Sequence, residues 1–183
     1  MTTRQLDLTP RAPEQLAHVV IMCHEFEKTK EWYMTVLDAK ESYGNEGMSF
    51  LSYDEEHHRL ALINAGPAPE GVQTFNKVQH FAYTLSSAAA LLGHHERLAQ
   101  LGIKPVWNIH HGLTLSMYYE DPEGIHVEFQ VDAFVNMKAA KEFMSSEEFE
   151  QNPVGIEYNP EDLKARYLAG ESETELLNQV VLA

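Results

Sequence analysis

The sequence has almost no cysteine: Cys23 is the only one among 183 residues. A single thiol can form neither a disulfide within the chain nor a cysteine zinc cluster, which excludes disulfide-stabilised and zinc-ribbon folds. Cys23 ends a hydrophobic run, and free cysteines are usually buried. We therefore predict a buried residue without a catalytic role.

Basic residues are also scarce, since 13 lysines and arginines stand against 28 acidic residues, for a formal net charge of −15. Surfaces that bind nucleic acid or anionic membranes need basic patches, so we predict neither partner. No hydrophobic run approaches the length of a membrane-spanning helix. The first fourteen residues are polar, contain two prolines and do not resemble a signal peptide. The prediction is a soluble, cytoplasmic protein.

What the chain does contain is a pattern that occurs twice. Residues 15–65 have the pattern of a strand, a helix and three strands, and residues 76–132 repeat that order after a proline- and glycine-rich linker at 66–75. Neither half could bury a sheet face alone. We therefore predict an α+β fold in which two tandem βαβββ modules form one cupped, mixed β-sheet. Residues 1–14 would form an N-terminal arm and residues 133–183 a helical C-terminal extension of the same domain.

The stretch LSMYYEDPEGIHVEFQ, residues 115–130, predicts two strands joined by a tight turn. Pro122 and Gly124 have the backbone preferences of turn residues. The residues after the turn alternate between apolar and polar, as they do in a half-buried strand. Glu128 lies within this strand, and an unpaired buried carboxylate is costly. Its presence therefore indicates a specific role.

Histidines occupy matching places in the two modules. His18 and His80 lie on the first strand of each module. The predicted fourth strand of the first module, residues 57–64, begins with His57-His58, and that of the second module contains Glu128. A single histidine on an apolar face is more often a core residue than a ligand, but the repeat favours a shared role. Two imidazoles and one carboxylate with open positions suit a divalent iron that binds both substrate and O₂. The repeat thus predicts a His–His–Glu metal site surrounded by the cupped sheet.

The chain resembles the vicinal oxygen chelate superfamily over about residues 15–132, and within it the one-domain type I extradiol dioxygenases of the biphenyl-2,3-diol type. The segments that carry the resemblance are LAHVVI, EWYMTVLDA, EEHHRLALI, VQHFAY and MYYEDPEGIHVEFQVD. The strand–DPEG–strand piece is common to the whole superfamily. The doublet His57-His58 before an apolar strand is more specific.

The resemblance implies a cytoplasmic enzyme that opens the ring of a catechol-type aromatic diol, with Fe(II) as cofactor and O₂ as co-substrate. Mn(II) suits the same ligands. By this resemblance His18, His80 and Glu128 bind the metal. His58 is then the acid–base group, a role for which the pKa of imidazole is well placed.

The resemblance also implies a tyrosine that hydrogen-bonds a substrate oxygen, ten residues before the carboxylate ligand. Tyr118 has this spacing, and Tyr119 must face the other side of its strand. A histidine before that strand is expected to contact a substrate hydroxyl or the bound oxygen. We assign His111 to this role and keep His110 open, because the spacing to Tyr118 requires a gap.

Two other functions on the same fold stay open. A glyoxalase-like lyase or isomerase would use a fourth protein ligand, usually Glu, in the part of the sheet where this chain has His58, with Ni, Co or Zn as the metal. A small-molecule-binding resistance protein would need no ligand set. The pair His94-His95 is expected on the solvated face of the second helix. The additional C-terminal segment favours a homodimer or a larger homo-oligomer.

Overall fold

The computed structural model describes residues 13, 15–69 and 78–178. The predicted N-terminal arm and most of the predicted linker therefore lie outside the described residues. The chain divides into two compact units, Met1–Pro67 and Ala68–Ala183. Within the described ranges no helix combines the length and the apolar character needed to cross a membrane.

The first unit is a βαβββ module. Its elements are β1 (Val19–Cys23), α1 (Phe26–Leu37), β2 (Lys40–Asn45), β3 (Met48–Ser52) and β4 (Leu60–Asn64). The sheet has the order β1-β4-β3-β2, with β1 parallel to β4 and the other pairs antiparallel. Helix α1 packs on β4 and buries Phe26, Tyr33 and Val36 at helical spacing. Cys23 is fully buried, as predicted.

The second unit repeats the module and adds an extension. The module consists of β5 (His80–Thr84), α2 (Ala88–Gln100), β6 (Trp107–His110), β7 (Thr114–Glu120) and β8 (His126–Asp132). The extension consists of α3 (Met137–Met144), α4 (Glu147–Gln151), β9 (Ile156–Glu157), α5 (Pro160–Leu168) and α6 (Glu173–Asn178). The sheet has the order β5-β8-β7-β6-β9, so the extension contributes its edge strand.

The predicted α+β class and the two βαβββ modules are confirmed. The strands form two mixed sheets, one of four and one of five strands, each within its own unit. The extension begins with two separate helices, because Ser145 ends α3 and Ser146 caps α4 by accepting a hydrogen bond from the Phe149 amide. Strand β9 was not predicted, since two residues carry no pattern of their own.

Helix α2 contradicts the prediction of a solvated histidine pair. His95 is 7% exposed, and the His94 ring lies 4.1 Å from the Phe129 ring. The buried His94 Nε2 has no hydrogen-bond partner among the described residues. Burial, with smaller contributions from the charges of Arg97 and His95, lowers the pKa of His94 to about 4.

His94 therefore predicts a specific acid sensitivity. Its folded-state pKa lies below the unfolded value near 6.5, so its contribution to stability falls as the pH drops from about 6.5 to about 4. Solvent screening of the partly exposed ring limits this loss to roughly 1–2 kcal/mol. His94→Phe keeps an aromatic ring against Phe129 and should abolish this part of the pH dependence. Urea unfolding of both proteins between pH 4 and pH 8 measures it; parallel stability curves would contradict the assignment.

Candidate metal and substrate site

The hairpin β7–β8 places Tyr118 and Glu128 directly opposite each other. The turn between the strands is held by the buried side chain of Asp121, whose Oδ1 accepts hydrogen bonds from the amides of Glu123 at 2.9 Å and Ile125 at 2.8 Å. The register of the two strands is set by this turn. The turn therefore determines which residue faces Glu128.

Glu128 is buried, with 4% of its surface exposed, between β5 and β7. Its Oε2 lies 3.3 Å from Nε2 of His80 at the start of β5. Burial is the largest cause that raises the pKa of the Tyr118 hydroxyl, followed by the charge of Glu128 and a hydrogen bond to it. The carboxylate thus has an imidazole on one side and a protonated phenol on the other.

Gln79 fixes the orientation of His80, and no sequence pattern pointed to it. Its side-chain oxygen bonds Nδ1 of His80, and its amide nitrogen lies 3.0 Å from Nδ1 of His126. An amide oxygen can only accept, so Nδ1 of His80 carries a proton, and in the neutral ring Nε2 presents its lone pair toward Glu128. Such an outer hydrogen bond is the usual means of orienting a metal-binding imidazole.

The structure brings His111 to Tyr118 and separates His110 from it. Nε2 of His111 lies 3.0 Å from the Tyr118 hydroxyl, whereas the buried His110 bonds the carbonyl of Leu177 through Nε2 at 2.7 Å. Tyr119 is fully buried on the other side of β7, with its hydroxyl 3.4 Å from Nδ1 of His95. These positions agree with the choice of His111 and Tyr118 over their neighbours.

In the first unit three rings gather around His58. Its ring centroid lies 4.4 Å from that of His18 and 4.5 Å from that of His57, and it stacks on Phe50 at 4.7 Å. Burial is the main cause that lowers the pKa of His58, and the neighbouring His18 and His57 lower it further. His58 is therefore a neutral base at pH 7 and can take up a proton.

The predicted strand 57–64 is wrong at its start. Strand β4 begins at Leu60, and His57 and His58 lie in the preceding loop, which the pairing of Arg59 with Asp54 at 2.9 Å helps to close. When the two modules are aligned on His18 and His80, the strand registers put Ala61 at the place of Glu128. The first module thus offers no carboxylate at that place, and His58 is not its equivalent.

The spacing of His80 and Glu128 is compatible with two ligands of one metal ion. A nitrogen lone pair and a carboxylate oxygen 3.3 Å apart repel each other unless a cation or a proton lies between them. Two ligand atoms about 2.1 Å from one metal at roughly a right angle are separated by about 3 Å. Within either unit taken by itself, the described residues contain no group of three or more His, Cys, Asp or Glu that could hold a metal.

The sequence of this chain matches a known protein superfamily. The profile of the Glyoxalase/Bleomycin resistance protein/Dioxygenase superfamily matches residues 15–129. The chain belongs to this superfamily. The predicted membership and fold are thereby confirmed, and the match ends before the extension begins.

Two relatives from Rhodococcus globerulus cover most of the chain. One, named biphenyl-2,3-diol 1,2-dioxygenase 2, is 40% identical over 81% of this chain and 79% of its own length. The other, biphenyl-2,3-diol 1,2-dioxygenase 3, is 36% identical over 93% and 89%.

Solved structures of more distant members share the superfamily fold alone. Lactoylglutathione lyase from Agrobacterium tumefaciens has a TM-score of 0.54 at 15% identity, covering 66% of this chain and 96% of its own. The fosfomycin resistance protein FosX from Mesorhizobium loti has a TM-score of 0.51 at 18% identity, covering 70% and 98%.

The Asp121 turn generates a prediction about the hairpin of this superfamily member. Asp121→Ala removes the acceptor of two amides and leaves them without it, which should lower the free energy of unfolding by about 2 kcal/mol. Asp121→Asn keeps an oxygen acceptor and should lose less than half of that. Chemical denaturation of the two variants and the wild type measures the difference. Equal losses in both variants would mean that charge, not the hydrogen bonds, stabilises the turn.

Proposed function

We propose that the protein is an Fe(II)-dependent extradiol dioxygenase that cleaves the ring of a catechol-type diol with O₂. The predicted dioxygenase class is confirmed by the two Rhodococcus relatives, both named for a dioxygenase activity on an aromatic diol. The observation that carries the assignment to residues is the approach of His80 Nε2 to the buried carboxylate of Glu128, next to Tyr118. Biphenyl-2,3-diol is the first substrate to test.

His80 and Glu128 are the proposed metal ligands of the second unit, and the family resemblance adds His18 as the third. Iron(II) bound by such a set would hold the two diol oxygens and O₂ side by side and pass electrons from the ring to O₂. Manganese(II) suits the same ligands. The predicted homodimer or larger assembly and the cytoplasmic location remain predictions; analytical ultracentrifugation tests the first.

The other residues have roles that follow from their contacts. Tyr118 stays protonated at neutral pH, because its pKa is raised, and can hydrogen-bond a substrate oxygen. His111 contacts that hydroxyl and orients it. His58, with its lowered pKa, is available as the neutral base that takes a proton from the diol.

The position of Ala61 disfavours the alternative of a glyoxalase-like lyase. Such an enzyme would need a fourth ligand from the first module, and the register puts alanine at the place equivalent to Glu128. A resistance protein that only binds small molecules would not need His80 and Glu128 in this arrangement. Ring cleavage remains the function that uses all of these residues.

The experiment is direct. The protein is purified without oxygen, loaded with Fe(II), and mixed in air with a panel of catechols that includes biphenyl-2,3-diol. Oxygen uptake should match substrate loss and the appearance of a coloured ring-opened product. Activity with Ni or Zn but not with Fe(II) or Mn(II), or full turnover by His80→Ala, would overturn the proposal. His24→Ala is a histidine control whose ring bonds only the Gly66 carbonyl in the described residues.

Metal binding should be visible without turnover. Fe(II) or Mn(II) stabilises only the folded protein that binds it, by about 2.7 kcal/mol at a hundredfold excess over Kd. The melting temperature of the wild type should therefore rise when metal is added, whereas Glu128→Gln should show little rise. Glu120→Gln, on the same hairpin but at its exposed end, should respond like the wild type. A wild-type response in Glu128→Gln would remove this residue from the ligand set.

His58 should affect the reaction and not metal affinity. His58→Gln cannot take up a proton, and loss of a general base usually lowers the rate by about 10²–10⁴. The variant should still be stabilised by Mn(II) and should still bind the diol. His24→Gln, whose ring bonds the Gly66 carbonyl, is the histidine control and should keep most of the activity. A His58→Gln variant as fast as His24→Gln would exclude the acid–base role.

A further inference from the structure

A short segment of the extension, residues 152–158, lies against the strand and loop that carry His111; we call it the clasp. Its strand β9 pairs with β6, aligning Ile156 with His110 and Glu157 with Ile109. The Tyr158 amide also donates to the carbonyl of Asn108 at 3.2 Å. The clasp lies outside residues 15–129, which the superfamily profile matches. It is therefore an addition to the common fold that reaches a proposed active-site residue.

The clasp makes a direct hydrogen bond to the His111 ring. The carbonyl of Val154 lies 2.5 Å from Nδ1 of His111. A carbonyl can only accept, so Nδ1 carries a proton, and in the neutral ring Nε2 is left with its lone pair. That lone pair faces the Tyr118 hydroxyl at 3.0 Å. The backbone of the clasp thus selects the tautomer in which the Nε2 lone pair of His111 and the carboxylate of Glu128 compete for the single hydroxyl proton of Tyr118.

Gly155 allows the clasp to come this close. Its φ of +105° is unfavourable for other residues, and a Cβ there would lie 2.1 Å from the His110 carbonyl oxygen and 2.7 Å from Cα of His111. The Asn152 side chain closes the turn, donating to the Gly155 carbonyl and accepting from its amide, both at 3.0 Å. A side chain at position 155 would therefore push Val154 away from His111.

A second contact of the clasp acts on the neighbouring ring. Glu157 accepts a hydrogen bond from Nε1 of Trp107 at 2.7 Å. The Trp107 ring lies 5.0 Å from that of Tyr118 and 5.8 Å from that of His111. The clasp therefore contacts His111 through the backbone carbonyl of Val154 and Trp107 through the carboxylate of Glu157. The Trp107 ring in turn lies beside His111 and Tyr118.

We propose that the clasp is a positioning element of the active site, which fixes the Nδ1-protonated tautomer of His111 and aims Nε2 at Tyr118. His111 meets the substrate in the proposed function, so the catalytic part of this inference rests on it. Val154 and Gly155 act through His111 and need no contact with substrate. A clasp that only stabilised the sheet edge would leave the tautomer unchanged when disturbed.

The tautomer can be measured in the metal-free, full-length protein. Nitrogen-15-labelled histidine gives ring signals that distinguish the two tautomers, and His111→Gln identifies the signals of His111. The wild type should show the Nδ1-protonated form, and Gly155→Ala should lose it. Gly170→Ala is the matched control, since Gly170 has a similar φ of +93° but no neighbour within 4 Å of an added Cβ.

Two spectra would overturn the proposal: an Nε2-protonated His111 in the wild type, or an unchanged His111 in Gly155→Ala. Should Gly155→Ala not fold, Asn152→Ala takes its place, because it removes only the bonds that close the turn. Neither spectrum depends on turnover. The assignment is therefore decided even if no catechol is cleaved.

A double-mutant cycle measured by steady-state kinetics tests whether the clasp affects the reaction through His111. Gly155→Ala should lower kcat/KM for the diol about tenfold, the loss expected for one hydrogen bond. In the His111→Gln background the same change should cost less than about twofold, because the residue through which the clasp acts is gone. Equal losses in the two backgrounds would reject positioning through His111 while leaving ring cleavage itself intact. A wild type without ring cleavage would instead reject the proposed function.

Discussion

The site depends on a carboxylate and an imidazole nitrogen held close together in a buried place. Glu128 lies on β8, 4% exposed, and the lone pair of His80 Nε2 approaches it at 3.3 Å. Such a pair is unfavourable without a positive charge between its members, since burial removes the water that would screen them. The neighbouring elements keep the pair in place: Gln79 holds the His80 ring by its other nitrogen, and the Asp121 turn sets the register of Glu128. Neighbouring side chains thus hold the two groups in a fixed arrangement, which a preformed ligand site requires.

The two modules use the same strand order for different purposes. In both, the first strand begins at or just after a histidine and runs parallel to the fourth. In the second module the fourth strand contributes Glu128, whereas in the first its equivalent is Ala61. The proposed acid–base residue of the first module, His58, lies in the loop before β4. A loop residue stacked between Phe50 and neighbouring imidazoles can change protonation without disturbing a sheet. The repeat therefore supplies a scaffold, and its departures from symmetry separate the proposed metal ligand from the proposed proton acceptor.

Patterns among residues adjacent in sequence were sufficient to predict much of the fold and of the candidate site. The parts that they did not predict depend on tertiary contacts. The alternation around Glu128 and the DPEG turn predicted the hairpin, because both depend on residues adjacent in sequence. The run HHRLALIN suggested a longer strand, but Leu60, Ala61 and Leu62 are all buried, so alternation was not a valid guide there. Gln79 and the Val154 carbonyl could not be found, since an exposed amide and a backbone atom have no sequence signature. Helix α5, by contrast, has a sequence signature. Asn159 followed by Pro160 and two acidic residues is a typical helix start.

The extension gives a physical reason why His111, not His110, has a ring nitrogen available for the proposed contact with substrate. Adjacent residues of a strand edge face opposite sides, and each of these two rings is held by a carbonyl of the extension: His110 by Leu177 and His111 by Val154. The two bonds use different ring nitrogens. His110 engages Nε2, and its Nδ1 accepts from the Gly112 amide, so both nitrogens are occupied within the protein. His111 engages Nδ1 and leaves Nε2 directed at Tyr118. The same type of contact therefore makes one histidine structural and the other available, and the difference lies in which nitrogen the backbone occupies.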